Sequence, residues 1–205
     1  MNAQLQYDLD TLTAILNLTK EHSLTYLNEI NDHPTTISEQ PFLSPTSLPQ
    51  TGQGAAASLH KFEQRFKPLL VASSGPRFWG FVTGGFTPAA IAGDWLASVY
   101  DQNTQSIKGQ GDISALIEAE TIQLLLQLLQ LPTTYIGGFV TGATMSNFTC
   151  LAVARQWAGK QTGVDIAKEG VVPGIHILSA TPHSSAVKSL AMLGLGSNNY
   201  TVVKV

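Results

Sequence analysis

The feature that most narrows what this chain can fold into is a repeated strand-then-helix order in its final third. Gly138-Phe139-Val140 leads into a helix-forming stretch over residues 144–157, and IHILS at 175–179 into a second over 184–193, closed by Gly194. YTVVKV at 200–205 is a further β-branched run. Strands that read as apolar runs, without polar alternation, and that are separated by helices predict a parallel sheet covered on both faces. The class is therefore α/β. The 205 residues end inside the last of these runs, which leaves a strand without its crossover. That reads as an incomplete domain.

Upstream, the apolar residues Leu9, Leu12, Ile15, Leu16, Tyr26, Leu27 and Ile30 recur near helical spacing and predict an amphipathic helix or helix pair over 8–30. Residues 31–57, broken by Pro34, Pro41, Pro45, Pro49, Gly52 and Gly54, read as an extended connection. A short helix over 58–70 carries Leu59, Phe62 and Phe66 on one face and meets Pro68 and a Ser-Ser-Gly-Pro turn. Thr87-Pro88 is a good helix start, Thr as N-cap and Pro at the first helical position, for a helix through Ala89, Ile91, Trp95, Leu96 and Val99. A further helix over 113–130 has a wide leucine-rich face stopped by Pro132. The expected division is an N-terminal helical arm and linker, 1–57, followed by an α/β part, 58–205.

Composition limits the partners. Asp, Glu, Lys and Arg make up 12% of the chain, against about a quarter in an ordinary globular domain. Eleven Lys and Arg against fourteen Asp and Glu give a net charge of -3. No basic excess exists to neutralise a phosphate backbone, which argues against a nucleic acid partner. The single cysteine, Cys150, excludes an internal disulfide framework and a cysteine-based zinc site, and it suits a reducing compartment, with cytoplasm the default. The first residues lack the basic start and apolar run of a secretory signal. The uncharged stretch 131–154 is long enough to span a bilayer, but Pro132, Gly137, Gly138, Asn147 and several threonines interrupt it. It reads as buried α/β interior, so no membrane partner is expected.

Three groups of residues could carry chemistry. Thr141-Gly142-Ala143-Thr144-Met145-Ser146-Asn147 lies between a strand and a helix. Small residues there let backbone N–H groups approach an anion at the positive end of the helix dipole. The alternative is a strand-to-helix turn with a hydroxyl cap; neither a Walker loop nor the three-glycine dinucleotide pattern is present. Thr181-Pro182-His183-Ser184-Ser185 follows the strand at 175–179, the place where open α/β sheets bind ligands. His183 could stack, donate a hydrogen bond or transfer a proton, or simply cap its helix. His176 is structural, and His22, His33 and His60 have no evident partners. Residues 77–86, RFWGFVTGGF, form an aromatic pocket wall or core packing.

The succession RFWGFVTGG, TPAAIAGDWLASVYDQN, ALIEAETIQLLLQLLQLP, GGFVTGATMSNFTCLAVAR and LSATPHSSAVKSLAMLGLG resembles the N-terminal part of the group II pyridoxal-phosphate-dependent amino acid decarboxylases. The resemblance runs from about Arg77 to the last residue and is strongest in the final third, and its specificity lies in several separated motifs occurring in one order. It implies the aminotransferase-like, fold type I large domain, incomplete here, with an N-terminal helical segment. It further implies pyridoxal 5'-phosphate as cofactor, its phosphate held at Ala143 and Thr144 with Ser146 and Asn147 close by. The family's His-x-Ser motif falls on His183 and Ser185, where the histidine stacks on the pyridine ring and helps position the substrate. Residues 78–85, with Trp79, Phe81 and Thr83, correspond to the substrate entrance, often contributed across a dimer interface. Met145 departs from the acidic residue of many relatives.

The cofactor acts as an electron sink for the carbanion left when carbon dioxide departs, and the protein orients it. By the resemblance, the Schiff-base lysine and the aspartate that pairs with the pyridine nitrogen fall beyond Val205. Lys188 corresponds to a basic helix position, not to that lysine. The expectation is thus an L-amino acid carboxy-lyase, homodimeric and cytoplasmic, present as an N-terminal fragment inactive by itself. Two alternatives remain: another fold type I enzyme such as an aminotransferase or other lyase, or a non-catalytic phosphate-binding or dimerisation fragment.

Overall fold

The computed structural model describes residues 2–37, 47–103 and 113–204. Of the connection read from the sequence, Pro41 and Pro45 lie outside these residues, as does Val205 of the last strand. The chain forms two compact units, 1–101 and 102–205.

The first unit begins with the expected helix pair, α1 (Ala3–Asp10) and α2 (Leu12–Asn28). Asn2 caps α1 by accepting from the N–H of Gln4 at 2.8 Å. Asp8 of α1 does more than sit on its own helix. One carboxylate oxygen accepts from the Ala55 N–H at 3.0 Å and the other from Gln4 Nε2 at 3.2 Å. It thereby caps α3 (Ala55–Arg65), whose own N-cap is the side-chain-less Gly54. The helix expected over 58–70 starts three residues earlier and gives way to a 3₁₀ turn, Lys67–Leu69, that accommodates Pro68 in its first positions. Glu63 meets Lys67 at 2.8 Å and His22 at 3.4 Å, tying α3 to α2. Tyr26 stacks on His33 and donates to the Val71 carbonyl at 3.2 Å, beside the buried Ala72. Residues 78–86 have no regular structure. The helix α4 (Pro88–Tyr100) then starts as expected, with Thr87 Oγ1 accepting from the Ala90 N–H at 3.2 Å, but its apolar residues Ile91, Trp95, Leu96 and Val99 are exposed.

The second unit holds α5 (Ser114–Leu128), α6 (Ala143–Gln161), α7 (Ile166–Glu169), β1 (Leu178–Ser179), α8 (Ser184–Met192) and β2 (Thr201–Val202). Its core sits where α6 and α8 pack. Leu190, Leu193 and Leu195 are buried against Phe148, Leu151 and Ala152 of α6, with Ile175, Ile177 and Tyr200 alongside. Each such leucine contributes about 1.5–3 kcal/mol through burial. Leu195 reaches this core because the chain reverses at Gly194, in the left-handed conformation at φ +73°, where Leu195 N–H bonds back to the Leu190 carbonyl. α5 ends in the same cap with Gln130 at φ +55°, so the reversal at Gln130, and not Pro132 itself, stops that helix.

The sheet differs from expectation. β1 and β2 pair in parallel, Leu178 opposite Thr201 and Ser179 opposite Val202, but each extends over two residues. Along 175–179 burial alternates: Ile175, Ile177 and Ser179 turn inward while His176 and Leu178 are exposed. Only one face is covered, by helices, because no further strand or helix among the described residues lies over the other. Residues 138–140, which the sequence reads as a strand, have no ladder partner among the described residues. They are fixed instead by Glu118 of α5, whose carboxylate accepts from the Phe139 N–H at 2.7 Å. The short α7 has no counterpart in the sequence reading; Glu169 accepts from the Asp165 N–H at 3.0 Å and closes it.

Candidate functional site

The turn 141–144 and the His183 segment meet at one corner of the second unit, for reasons local to each. α6 starts at Ala143, with Gly142 as its N-cap and no side chain capping it. The first-turn N–H groups of Ala143, Thr144 and Met145 have no partner among the described residues, and a Cβ at Gly142 would meet nothing within 4 Å. An open, positive helix end results. α8 starts differently. His183, in extended backbone, caps it through Nδ1, which accepts from the Ser185 N–H at 3.2 Å.

One hydrogen-bonded chain joins the two starts. Asn147, one turn into α6, donates from Nδ2 to Ser185 Oγ at 2.7 Å, and Ser185 Oγ lies 2.8 Å from His183 Nδ1. Ser185 is 5% exposed, and beneath it the fully buried Ser189 donates to the Ser185 carbonyl at 2.8 Å. This places the link inside the α6–α8 interface. His183 itself is exposed. The next face of α6, through Ser146, Cys150 and Val153, lines an open cavity of about 590 Å³ together with Gly137, Gly138 and Val140.

Of the residues singled out in the sequence, the structure therefore brings together Ala143, Thr144, Asn147 and His183. Ser185, named there only as part of a motif, is the atom-level bridge; its place two residues after His183 was the available signal. Trp79, Phe81 and Thr83 belong to the first unit. Trp79 and Phe81 are 93% and 94% exposed, and Thr83 donates to the Ser73 carbonyl at 3.2 Å. Lys188 is exposed on α8. No group of three His, Cys, Asp or Glu side chains among the described residues could hold a metal ion, and no helix among them is long and apolar enough to cross a membrane.

No family model matches the chain. Curated relatives do, two of them as follows. The chain is 30% identical over 151 residues to an L-2,4-diaminobutyrate decarboxylase of Rhizobium meliloti, covering 74% of this chain and 29% of the relative. It is 33% identical over 111 residues to an aromatic-L-amino-acid decarboxylase of Bacillus atrophaeus, covering 54% of this chain and 23% of the relative. The chain thus spans less than a third of either. Among solved structures, Oryza sativa TDC with PLP and tryptamine matches 95% of the chain with a TM-score of 0.75 at 19% identity, using 44% of that structure. The glutamate decarboxylase domain of a Vibrio parahaemolyticus diaminobutyrate-pyruvate transaminase and L-2,4-diaminobutyrate decarboxylase matches 94% with a TM-score of 0.74 at 17% identity, using 43%. The fold is accordingly that of the fold type I decarboxylases, represented in part. With the ordered motifs and the 30% likeness to a curated decarboxylase, the chain is similar over a portion of their length to the group II pyridoxal-phosphate-dependent amino acid decarboxylases.

Proposed function

We propose that the chain is part of a pyridoxal-phosphate-dependent enzyme that decarboxylates an L-amino acid, and that it supplies the phosphate-binding and histidine portion of the site. The observation that carries this reading is the convergence of an uncapped helix start, α6, with a histidine-capped one, α8, through Asn147 and Ser185. An uncapped first turn with open space beside it fits a phosphate dianion. Ala143 and Thr144 would offer it backbone N–H groups and the Thr144 hydroxyl. His183 would stand against the cofactor ring, and Asn147 would hold the histidine segment in place through Ser185. When bound, the cofactor withdraws electrons from the substrate's α-carbon, the chemistry that loss of carbon dioxide requires.

The enzyme is a homodimer of the cytoplasm, in which Trp79, Phe81 and Thr83 line the substrate entrance; near-complete exposure of two aromatic rings is what a surface awaiting a neighbour looks like. Residues 1–57 form an arm and 58–205 the first part of the cofactor domain. The test is a product assay with L-amino acids on the pyridoxal-phosphate-loaded complete gene product, since the 205 residues alone are expected to be inactive. Carbon dioxide release is the expected result. Amino-group transfer to a 2-oxo acid without carbon dioxide release would replace the reading with an aminotransferase.

A further inference from the structure

The chain of bonds from Asn147 to His183 has a direction. Nδ1 of His183 accepts the Ser185 N–H, so it carries no proton when the ring is neutral. Ser185 Oγ receives an N–H from Asn147, which leaves the hydroxyl's own hydrogen free to point the other way, at Nδ1 2.8 Å distant. Both contacts on Nδ1 are then donations into it, and the ring proton is confined to Nε2. That nitrogen has no partner among the described residues, on a side chain that is exposed. Were the Asn147 amide replaced by a group that only accepts, the Ser185 hydrogen would turn toward it and present an oxygen lone pair to Nδ1, favouring the opposite tautomer.

We propose that Asn147 is a positioning residue that, through the buried Ser185 hydroxyl, locks neutral His183 as its Nε2–H tautomer, so that the histidine meets its ligand as a hydrogen-bond donor and not as a base. This deepens the reading of the site given above and rests on it for the identity of the ligand, a group with an acceptor such as a substrate carboxylate. The tautomer itself does not depend on any ligand. A base needs a free lone pair; here one nitrogen is saturated by donors and the other is protonated. What His183 can do from this arrangement is donate to a carboxylate, polarising or anchoring it.

The experiment is long-range ¹H–¹⁵N NMR of the ¹⁵N-labelled 205-residue chain without cofactor, the His183 signals being identified by their loss in His183→Gln. The expected pattern has Nε2 at a protonated shift and Nδ1 at an unprotonated one. In Asn147→Asp the ratio of Nε2–H to Nδ1–H forms should fall roughly fivefold or more, the size that one neutral hydrogen bond sets. Ser185→Ala, which removes one oxygen and adds no volume, should lower the ratio by a smaller factor while the Ser185 N–H contact persists. A wild-type spectrum with averaged His183 shifts would overturn the proposal, as would an unchanged ratio in Asn147→Asp or, should that variant not fold, in Ser185→Ala. Because no cofactor is present, these results stand apart from whether the chain binds pyridoxal phosphate.

Discussion

The starts of α6 and α8 are built on the same plan, a small-residue turn opening a helix, yet one carries a side-chain cap and the other does not. α8 has a cap from its own chain: His183 takes the Ser185 N–H. α6 is left open, with three first-turn N–H groups unanswered and bare space at Gly142. A helix start whose capping residue is glycine forgoes about 1 kcal/mol or less relative to a good side-chain cap. The difference teaches that the corner is not simply two well-made turns. One helix end is capped by the histidine; the other keeps first-turn N–H groups without a partner among the described residues, which is the opening that the proposed function assigns to the phosphate.

The largest effect on both helix starts comes from the core beneath them. Leu190, 3% exposed in the core shared by α6 and α8, holds both starts in register. Leu190→Ala should cost about 2–5 kcal/mol in denaturant unfolding of the second unit and loosen both ends together. Gly159→Ala is next. A Cβ there would sit 2.5 Å from Ile166 Cγ1, itself on a buried side chain, and 3.0 Å from the Val164 carbonyl. The overpacking should cost about 1–3 kcal/mol, outweighing the gain of roughly 0.5–1 kcal/mol that Gly to Ala gives inside a helix. A stabilised Gly159→Ala protein would show that the α6–α7 contact is slack.

Smaller changes sharpen the contrast. His183→Ala removes the α8 cap and should lower stability by about 0.5–2 kcal/mol. The same cap type at two helix ends gives a paired test: Gln130→Gly relieves a left-handed non-glycine residue and should stabilise by about 1 kcal/mol, while Gly194→Ala should destabilise by a similar amount. Thermal melts of both read the opposite signs directly. At the bottom of the scale, Trp79→Ala and Phe81→Ala in the first unit should change stability by about 0.5 kcal/mol or less, since neither ring is buried.

Much of this was legible in the sequence because its causes are local. Thr87 and Pro88 announce α4, the clustered leucines announce α5, and the small-residue turns announce α6 and α8, each from residues within one or two turns. The sheet was over-read for the opposite reason. IHILS and GFV have strand composition, but a strand is made by its neighbours, and here a two-residue pairing and a glutamate contact take the place of a ladder. The Asn147–Ser185 bond joins positions 38 apart and depends on how α6 packs on α8, which no spacing encodes. The sequence pointed to both ends of that bond without showing that they touch.

If the open start of α6 binds the cofactor phosphate, as proposed, Ala143→Pro should weaken that binding without unfolding the helix. Proline at the first helical position deletes one unpartnered N–H, and the extended backbone of Gly142 before it is compatible with proline, so stability should hold within about 0.5 kcal/mol. Titration of the chain with pyridoxine 5'-phosphate, which lacks the aldehyde that lysines would capture, followed by ³¹P NMR, should show binding by the wild type. Ala143→Pro should bind roughly tenfold to a hundredfold more weakly, the range for one hydrogen bond to a charged group. Equal affinity in the two proteins would contradict the account.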